Sequence, residues 1–216
     1  MIQHVYERTL GCPLLHKVVV ATDDKRIVRV VESFGGDCVL TGTAHQSGTD
    51  RLDEAADLLG LADEDLLVNV QGDEPLLDPR MIDVLIRATI YSGFEMATLA
   101  YPSNNMREFL DPNCVKVVTD AQGKALYFSR APIPLQREAG DKGQRFLKHL
   151  GFYAYRRWFL RQFTALSPGE LEKAEKLEQL RALENGYSIR VAQSPVDCLS
   201  VDTPEDLQRV RTIVEQ

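Results

Sequence analysis

A chain of 216 residues that is 44% hydrophobic can bury one substantial core, with room for a small extra lobe but not for two full domains. Its formal net charge of -7, from 25 basic and 32 acidic residues with no long Lys/Arg run, argues against binding to nucleic acid or to an anionic membrane surface. The scattered cysteines Cys12, Cys38, Cys114 and Cys198 form no C-x-x-C pair, which argues against a disulfide frame or a zinc site and for a reduced, cytoplasmic setting; no apolar run approaches the ~20 residues that span a bilayer.

The first half alternates between two periodicities. "MIQHVYERTL" places Ile2, Val5, Tyr6 and Leu10 at helical spacing. "KVVVAT" is a β-branched apolar run and predicts a buried strand. "DDKRIVRVVESFGG" predicts a helix capped by Asp23 or Asp24 and stopped at Gly35-Gly36. "DCVLT" reads as a strand, "SGTDRLDEAADLLG" as a helix entered through a polar turn, and "DLLVNV" as the next strand. "DPRMIDVLIRATIYSG" has Pro79 near its first turn and predicts a helix; "EMATLAYP" follows as a strand. The second half changes character. "VKVVTDAQGKALYFSR" predicts two strands joined at Ala121-Gln122-Gly123, and "FLKHLGFYAYRR" a further strand. "SPGELEKAEKLEQLRALENG" predicts one helix with Ser167 as cap, Pro168 at its first position and Glu170 closing a capping box. "SIRVAQ" and "TPEDLQRVRTIVE" read as the last strand and helix. The pattern implies an α/β fold, a mostly parallel, Rossmann-like sheet flanked by helices, with 1–216 as a single domain and an antiparallel insertion at about 111–165. No G-x-G-x-x-G follows a strand, which argues against a dinucleotide dehydrogenase.

Ligands of open α/β sheets gather at the carboxyl ends of strands. "NVQGDEP" is such an end and leaves Asp73 at the mouth of a site; taken alone it is equally an acidic strand-to-helix turn. "SVDTPEDL" is a second. Helix capping accounts for Thr203, Pro204 and Asp206 there but has no use for Asp202. Two carboxylates from distant strand ends suit a hard cation such as Mg²⁺, which takes one or two carboxylates together with substrate phosphates. The turn Ser47-Gly48-Thr49 offers hydroxyls and backbone N–H groups to a base or phosphate, or is an ordinary N-cap. Arg130 ends "YFSR" before two prolines, which leaves its guanidinium free to fork onto a carboxylate or to make a surface ion pair. In "KHLGFYAYR", Leu150, Phe152 and Ala154 face the core, whereas His149, Gly151, Tyr153 and Tyr155 share a polar face with a gap at Gly151 for a ligand. A histidine there is as readily structural as functional. Glu178 and Gln179 lie beside the apolar stripe Leu177, Leu180 and Leu183, able to bind a polyol or simply to be solvated.

In combination and in order, "ATDD", "HQSGTDRLDEA", "VNVQGDEP", "MATLA", "VKVVTDAQGKALYFSRAPIP", "FLKHLGFYAYR", "LEKAEKLEQLRAL" and "VDTPEDLQRVR" resemble the 3-deoxy-manno-octulosonate (Kdo) cytidylyltransferases, also called CMP-Kdo synthetases. The resemblance implies a nucleotidyltransferase fold, a homodimer in the cytoplasm, magnesium, and transfer of CMP from CTP to Kdo for lipopolysaccharide synthesis. It implies Asp73 and Asp202 as catalytic metal ligands. It sets Ser47, Gly48, Thr49, Arg51 and Gln71 near the nucleotide. Gln71, Arg130, His149, Tyr153, Glu178 and Gln179 would line the sugar pocket, with Arg130 on the carboxylate.

In the family, a first strand and a loop rich in Gly, Arg, Ser, Pro and Lys precede the helix that matches "MIQHVYERT". On that pattern the chain as written starts after the phosphate loop. It is expected to be inactive or nearly so, and less stable than a longer form, because "KVVVAT" and "DLLVNV" would each lose a pairing partner. Two alternatives accompany the main reading. One is a sister enzyme for another acidic sugar, a sialic acid or an amino-substituted Kdo; the other is a remnant that dimerises or binds nucleotide without turnover.

Overall fold

The structure is a computed structural model that describes residues 1–45, 47–137, 145–201 and 203–214. It opens with helix α1 (Ile2–Leu10), followed by strand β1 (Val20–Thr22), helix α2 (Lys25–Ser33) and strand β2 (Cys38–Leu40). Asp24 caps α2 by accepting from the Arg26 amide at 2.7 Å. Helix α3 (Gly48–Leu58) starts on Ser47, whose hydroxyl accepts from the Asp50 amide at 3.1 Å. Strand β3 (Leu66–Asn69) and helix α4 (Pro79–Ser92) come next. Asp78 caps α4, Pro79 opens it, and Gly93, at φ 72°, ends it in the left-handed region where a Cβ is penalised. Strand β4 (Met96–Ser103), helix α5 (Met106–Leu110) and the hairpin of β5 (Lys116–Thr119) and β6 (Ala125–Ser129) lead to the long strand β7 (Phe146–Arg156). Helices α6 (Arg157–Thr164), α7 (Glu170–Glu175) and α8 (Leu180–Glu184), strand β8 (Ile189–Gln193) and helix α9 (Pro204–Val214) complete the chain.

The expected α/β class holds, with a mixed sheet. Five strands run in the order β6-β5-β7-β4-β8, and a sixth, β3, pairs with β7 on the same edge as β5, further along the strand. β3 and β4 are both antiparallel to β7, and β8 is parallel to β4, so β3, β4 and β8 point one way and β7 runs against them. The antiparallel stretch expected at about 111–165 is thus not set apart. β7 pairs with β5 through Leu147 and Lys148, and from Tyr153 onward it lies inside the main sheet between β3 and β4. β1 and β2 form a separate parallel pair. The two strands expected to flank the family's first strand, β1 and β3, therefore each carry one edge unpaired among the described residues.

Both faces of the sheet are covered, which is why its central strands are almost wholly apolar. Leu150, Phe152 and Ala154 of β7 pack with Ala97 and Leu99 of β4 against Met81, Ile82 and Leu85 of α4, the face the alternation predicts. On the other side Met96, Phe128, Tyr155 and Ile189 meet Phe159, Leu160 and Phe163 of α6 and Leu180 of α8. Tyr155, expected on a polar face, is buried in that second core at 1% exposure.

Three expectations change. α5, and α6 beyond its first residue, fall in stretches for which the sequence pattern predicts no element. The single helix expected from Ser167 is two short helices: Gly169 caps α7, its amide bonded to Glu172, and Lys176, at φ 54°, breaks the run. At residues Thr98 and Leu99 the β4–β7 ladder slips, with Thr98 opposite Tyr153 but Leu99 opposite Leu150, so that Gly151 and Phe152 bulge out of register.

One charged cluster welds two helices of the second face. Arg157, fully buried at the start of α6, pairs with Asp53 and, at 2.5 Å, with Asp57 of α3; Thr164 donates to the other Asp53 oxygen at 2.9 Å. Asp53→Ala leaves a buried guanidinium with only the largely exposed Asp57, and should lower unfolding free energy by about 3 kcal/mol. Asp57→Ala should cost at most about 1 kcal/mol, since that carboxylate is mostly in water. Urea unfolding midpoints of the two variants check this ordering; equal losses would contradict it.

Candidate active site

The turn after β3, the middle of β7, the end of β6 and the start of α8 converge on a cavity of about 420 Å³. Its wall includes Gln71, Asp73, Arg130, His149, Tyr153, Glu178 and Gln179, seven residues drawn from four separated stretches of sequence. The convergence follows from the mixed sheet, because β7 brings His149 and Tyr153 beside the carboxyl end of β3.

Asp73 sits on this wall, and its carbonyl accepts from the Val201 amide at 2.9 Å. The segment that leads into Asp202 is therefore tied to Asp73, as the paired-carboxylate reading requires; Asp202 itself lies outside the described residues. Glu74 is buried and accepts from the Cys198 thiol at 2.8 Å. Burial and this carboxylate push the Cys198 thiol well above its usual range, so it stays protonated and donates.

Gln71 reaches across to β7, its amide donating to the Gly151 carbonyl at 3.0 Å. The gap at Gly151 is therefore filled, though not by a ligand. A Cβ on Gly151 would stand 2.5 Å from the Gln71 nitrogen. Gly151 is what lets the glutamine lie flat on the strand.

Arg130 is not free. Its Nε donates to the Glu175 carbonyl at 2.7 Å, one terminal nitrogen to the Pro112 carbonyl at 2.9 Å, and the other points at the Lys176 carbonyl. The guanidinium thus caps the carboxyl end of α7, where carbonyls lack helical partners and the dipole is negative. Of its five N–H groups, three face carbonyls and two are left for a ligand in the cavity. The Glu175 carboxylate returns the contact, accepting from Ser129 at 2.6 Å and from the Arg130 amide at 2.9 Å. Lys116, fully buried, braces the same corner through the carbonyls of Asp111, Cys114 and Arg130 at 2.6 to 3.0 Å. Burial lowers its affinity for the proton.

Glu178 accepts from the Thr49 hydroxyl at 2.6 Å and lies 3.6 Å from Arg181. Gln179 is buried at 6% exposure, and its amide nitrogen has no hydrogen-bond partner among the described residues. An orphaned donor on a cavity wall is a place for a ligand oxygen, because leaving it unmade costs about 1–3 kcal/mol. Lys148, which sequence reasoning missed, also lines the cavity and is paired with Glu108 and Asp197, each at 3.0 Å. Its place two residues before Leu150 in the alternation was the available signal.

The four residues expected near the nucleotide on α3 lie off this wall. Ser47 is an N-cap, and Gly48 follows it as the first residue of the helix. Thr49 supports Glu178 from behind. Arg51 bridges Asp23 of "ATDD", at 3.1 Å, and the Thr41 hydroxyl at 2.7 Å.

Gly151→Ala should displace the Gln71 side chain and break its bond to the strand. We expect a stability loss of about 1–3 kcal/mol, the range for strain from an added methyl, with a further loss of turnover. Gln71→Ala in the same background should recover most of the stability by removing the clash. Thermal denaturation of the single and double variants measures both.

Comparisons place these features among known proteins. A model of the cytidylyltransferase family matches residues 1–190. The 3-deoxy-manno-octulosonate cytidylyltransferase of Syntrophobacter fumaroxidans is 55% identical over 217 residues, covering all of this chain and 87% of the relative. The 8-amino-3,8-dideoxy-manno-octulosonate cytidylyltransferase of Shewanella pealeana is 53% identical over 96% of the chain and 85% of the relative. The solved structure of CMP:2-keto-3-deoxy-manno-octonic acid synthetase complexed with CTP superposes with a TM-score of 0.92 at 41% identity, over the whole chain and 87% of that structure. A 4-diphosphocytidyl-2C-methyl-D-erythritol synthase, at 14% identity and a TM-score of 0.64, shares the fold. The chain belongs to the cytidylyltransferase family, among the 3-deoxy-manno-octulosonate cytidylyltransferases.

Proposed function

We propose that this chain transfers CMP from CTP to 3-deoxy-D-manno-octulosonate, with release of pyrophosphate. The observation that carries the reading is the cavity itself. Seven residues expected from the resemblance line one polar chamber in a chain 55% identical to a Kdo enzyme over its whole length. The sugar's anomeric hydroxyl attacks the α-phosphorus of CTP. A new P–O bond forms, the bond from the α-phosphorus to the bridging oxygen breaks, and the hydroxyl proton passes to solvent as pyrophosphate leaves. Positioning and electrostatics carry such a transfer.

The residues divide the work. The two spare N–H groups of Arg130 take the sugar carboxylate, and the orphaned Gln179 amide takes a sugar oxygen. Glu178, held by Thr49, accepts from sugar hydroxyls. Asp73 and Asp202 would hold Mg²⁺. Their oxygen donors suit a hard cation, and the Val201–Asp73 bond keeps the two segments together. Bound there, the cation would offset triphosphate charge during displacement. Ser47, Gly48, Thr49, Arg51 and Gln71 belong to the nucleotide side, the first four at the start of α3 and Gln71 braced on β7.

The same reading makes the chain a cytoplasmic homodimer whose product feeds lipopolysaccharide synthesis. Among the described residues no helix is long and apolar enough to cross a membrane. The open edge of β6 carries Leu126 at 59% exposure, with Leu135 beyond it at 85%, an apolar strip that a second copy would cover.

The test is pyrophosphate release from CTP and Mg²⁺ with Kdo, its 8-amino analogue and a sialic acid, at matched concentrations. Kdo should give the highest kcat/KM; no release with any of the three refutes the reading. Asp73→Asn should cut the Mg²⁺-dependent rate about 10²–10³-fold, the scale for one charge-stabilising group, with little change in Tm. Arg130→Lys should raise the KM for Kdo and also lower Tm, because an ammonium cannot replace three divergent bonds to carbonyls.

A further inference from the structure

The slip in the β4–β7 ladder does more than shorten the pairing. On a regular strand, residues four apart lie about 13 Å from each other. His149 and Tyr153 are four apart, yet their ring centroids are 5.5 Å apart. The bulge at Gly151 and Phe152 folds the strand so that both rings share one wall of the cavity, with the Phe128 ring edge-on to the imidazole at 5.1 Å.

Thr98 fills the inside of that bulge. It is fully buried, and its hydroxyl oxygen lies 2.8 Å from the Phe152 carbonyl, 3.3 Å from the Leu150 carbonyl and 3.0 Å from His149 Nε2. The Tyr153 hydroxyl also faces it. A hydroxyl has one hydrogen and two lone pairs. Both carbonyls can only accept, and the shortest of the three contacts, to Phe152 at 2.8 Å, assigns the hydrogen of Thr98 to that carbonyl. His149 Nε2 can then sit at 3.0 Å only as a donor. Were it bare, two lone pairs would face each other and a buried acceptor would be left unmade, at about 1–3 kcal/mol.

The imidazole carries one proton, not two. Burial pushes its pKa down to about 3, and no carboxylate is bonded to the ring among the described residues. With that proton on Nε2, Nδ1 is a bare acceptor. No group among the described residues is bonded to Nδ1, and the ring lines the cavity while partly exposed. We propose that Thr98 is a positioning residue that locks His149 in the Nε2–H tautomer, so that Nδ1 accepts a hydrogen bond from a hydroxyl of the sugar. The inference rests on the sugar occupying this cavity. It also orients the sugar. A lone pair repels carboxylate and phosphate oxygens, so the acid end of the substrate turns toward Arg130 and a hydroxyl turns toward His149.

The tautomer is read directly from long-range ¹H–¹⁵N spectra of free protein carrying ¹⁵N-labelled histidine, with the signal assigned by its loss in His149→Gln. The expected pattern is a protonated Nε2 and a bare Nδ1, unchanged between about pH 5 and 8, where an ordinary histidine titrates. A protonated Nδ1, averaged tautomers or an imidazolium in that window overturns the proposal. Thr98→Val keeps the shape and removes the hydroxyl. It should raise the KM for Kdo about five- to tenfold, the loss of one hydrogen bond, with the KM for CTP within about twofold, and Thr98→Ser should restore the KM for Kdo. An unchanged KM for Kdo, or an equal rise for CTP, also overturns it. Wild-type protein that releases no pyrophosphate with Kdo counts instead against the substrate assignment. In that case, or if Thr98→Val does not fold, the wild-type spectrum decides the tautomer alone.

Discussion

β7 is the constraint on which the rest of the site depends. This one strand pairs with β4 along its length, with β5 near its start and with β3 near its end, so it joins the antiparallel hairpin to the strands that run with β3. Every hydrogen bond of those ladders fixes its height relative to the carboxyl end of β3. His149 and Tyr153 cannot shift without breaking pairing on two sides. The cost of the arrangement is visible in the bulge, where two backbone residues leave register with β4. Their carbonyls are not abandoned, because the Thr98 hydroxyl donates to that of Phe152 and the Gln71 amide to that of Gly151. Buried polar backbone in a well-packed sheet is tolerated only with such compensation.

The second device is the corner formed by Arg130, Lys116 and Glu175. Two cations there are satisfied almost wholly by main-chain carbonyls, and one carboxylate by hydrogen-bond donors of residues 129 and 130. This corner decides where α7 ends. Breaking the helix at Lys176 turns residues 178 and 179 inward, whereas an unbroken helix would carry them around its surface at 100° per residue. A side chain read as a ligand from sequence is thus also the brace that orients its neighbours in the pocket.

What was legible in the sequence follows from what is local. The entry and exit of α4 could be read because Asp78, Pro79 and Gly93 each perform a task set by their own backbone. The apolar face of β7 could be read because alternation has period 2. The membership of the site was legible through the resemblance, which brought together stretches that spacing alone leaves unconnected. Three things were not legible. α6 follows β7 without a turn, since "YAYRRWFL" holds no glycine, proline or capping side chain to mark the boundary, and its start is fixed by the Arg157 pair with α3, a contact about 100 residues away in sequence. The left-handed Lys176 carries no glycine or asparagine to announce it. The bulge depends on Thr98, which reads as an ordinary β-branched strand residue. Each is settled by a partner distant in sequence, where local propensity has no vote.

The charges of the cavity sharpen the division between its two substrates. Lys148 is already matched by Glu108 and Asp197, and three of the five Arg130 donors by carbonyls. Asp73, Glu74 and Glu178 add negative charge to the same wall. A triphosphate placed here would find little uncommitted positive charge and several carboxylates. A polyol whose only charge is one carboxylate finds what it needs: a fork with two spare donors, an orphaned amide, a supported carboxylate and, on the tautomer proposed above, a bare imidazole nitrogen. The field of the wall therefore selects for the sugar acid. On the proposed function it leaves triphosphate charge to be offset by something other than these side chains, the part assigned to the proposed divalent cation at Asp73. Nucleotide and sugar would meet where that cation stands, at the end of β3, with the acid group of the sugar drawn away from the phosphates by Arg130.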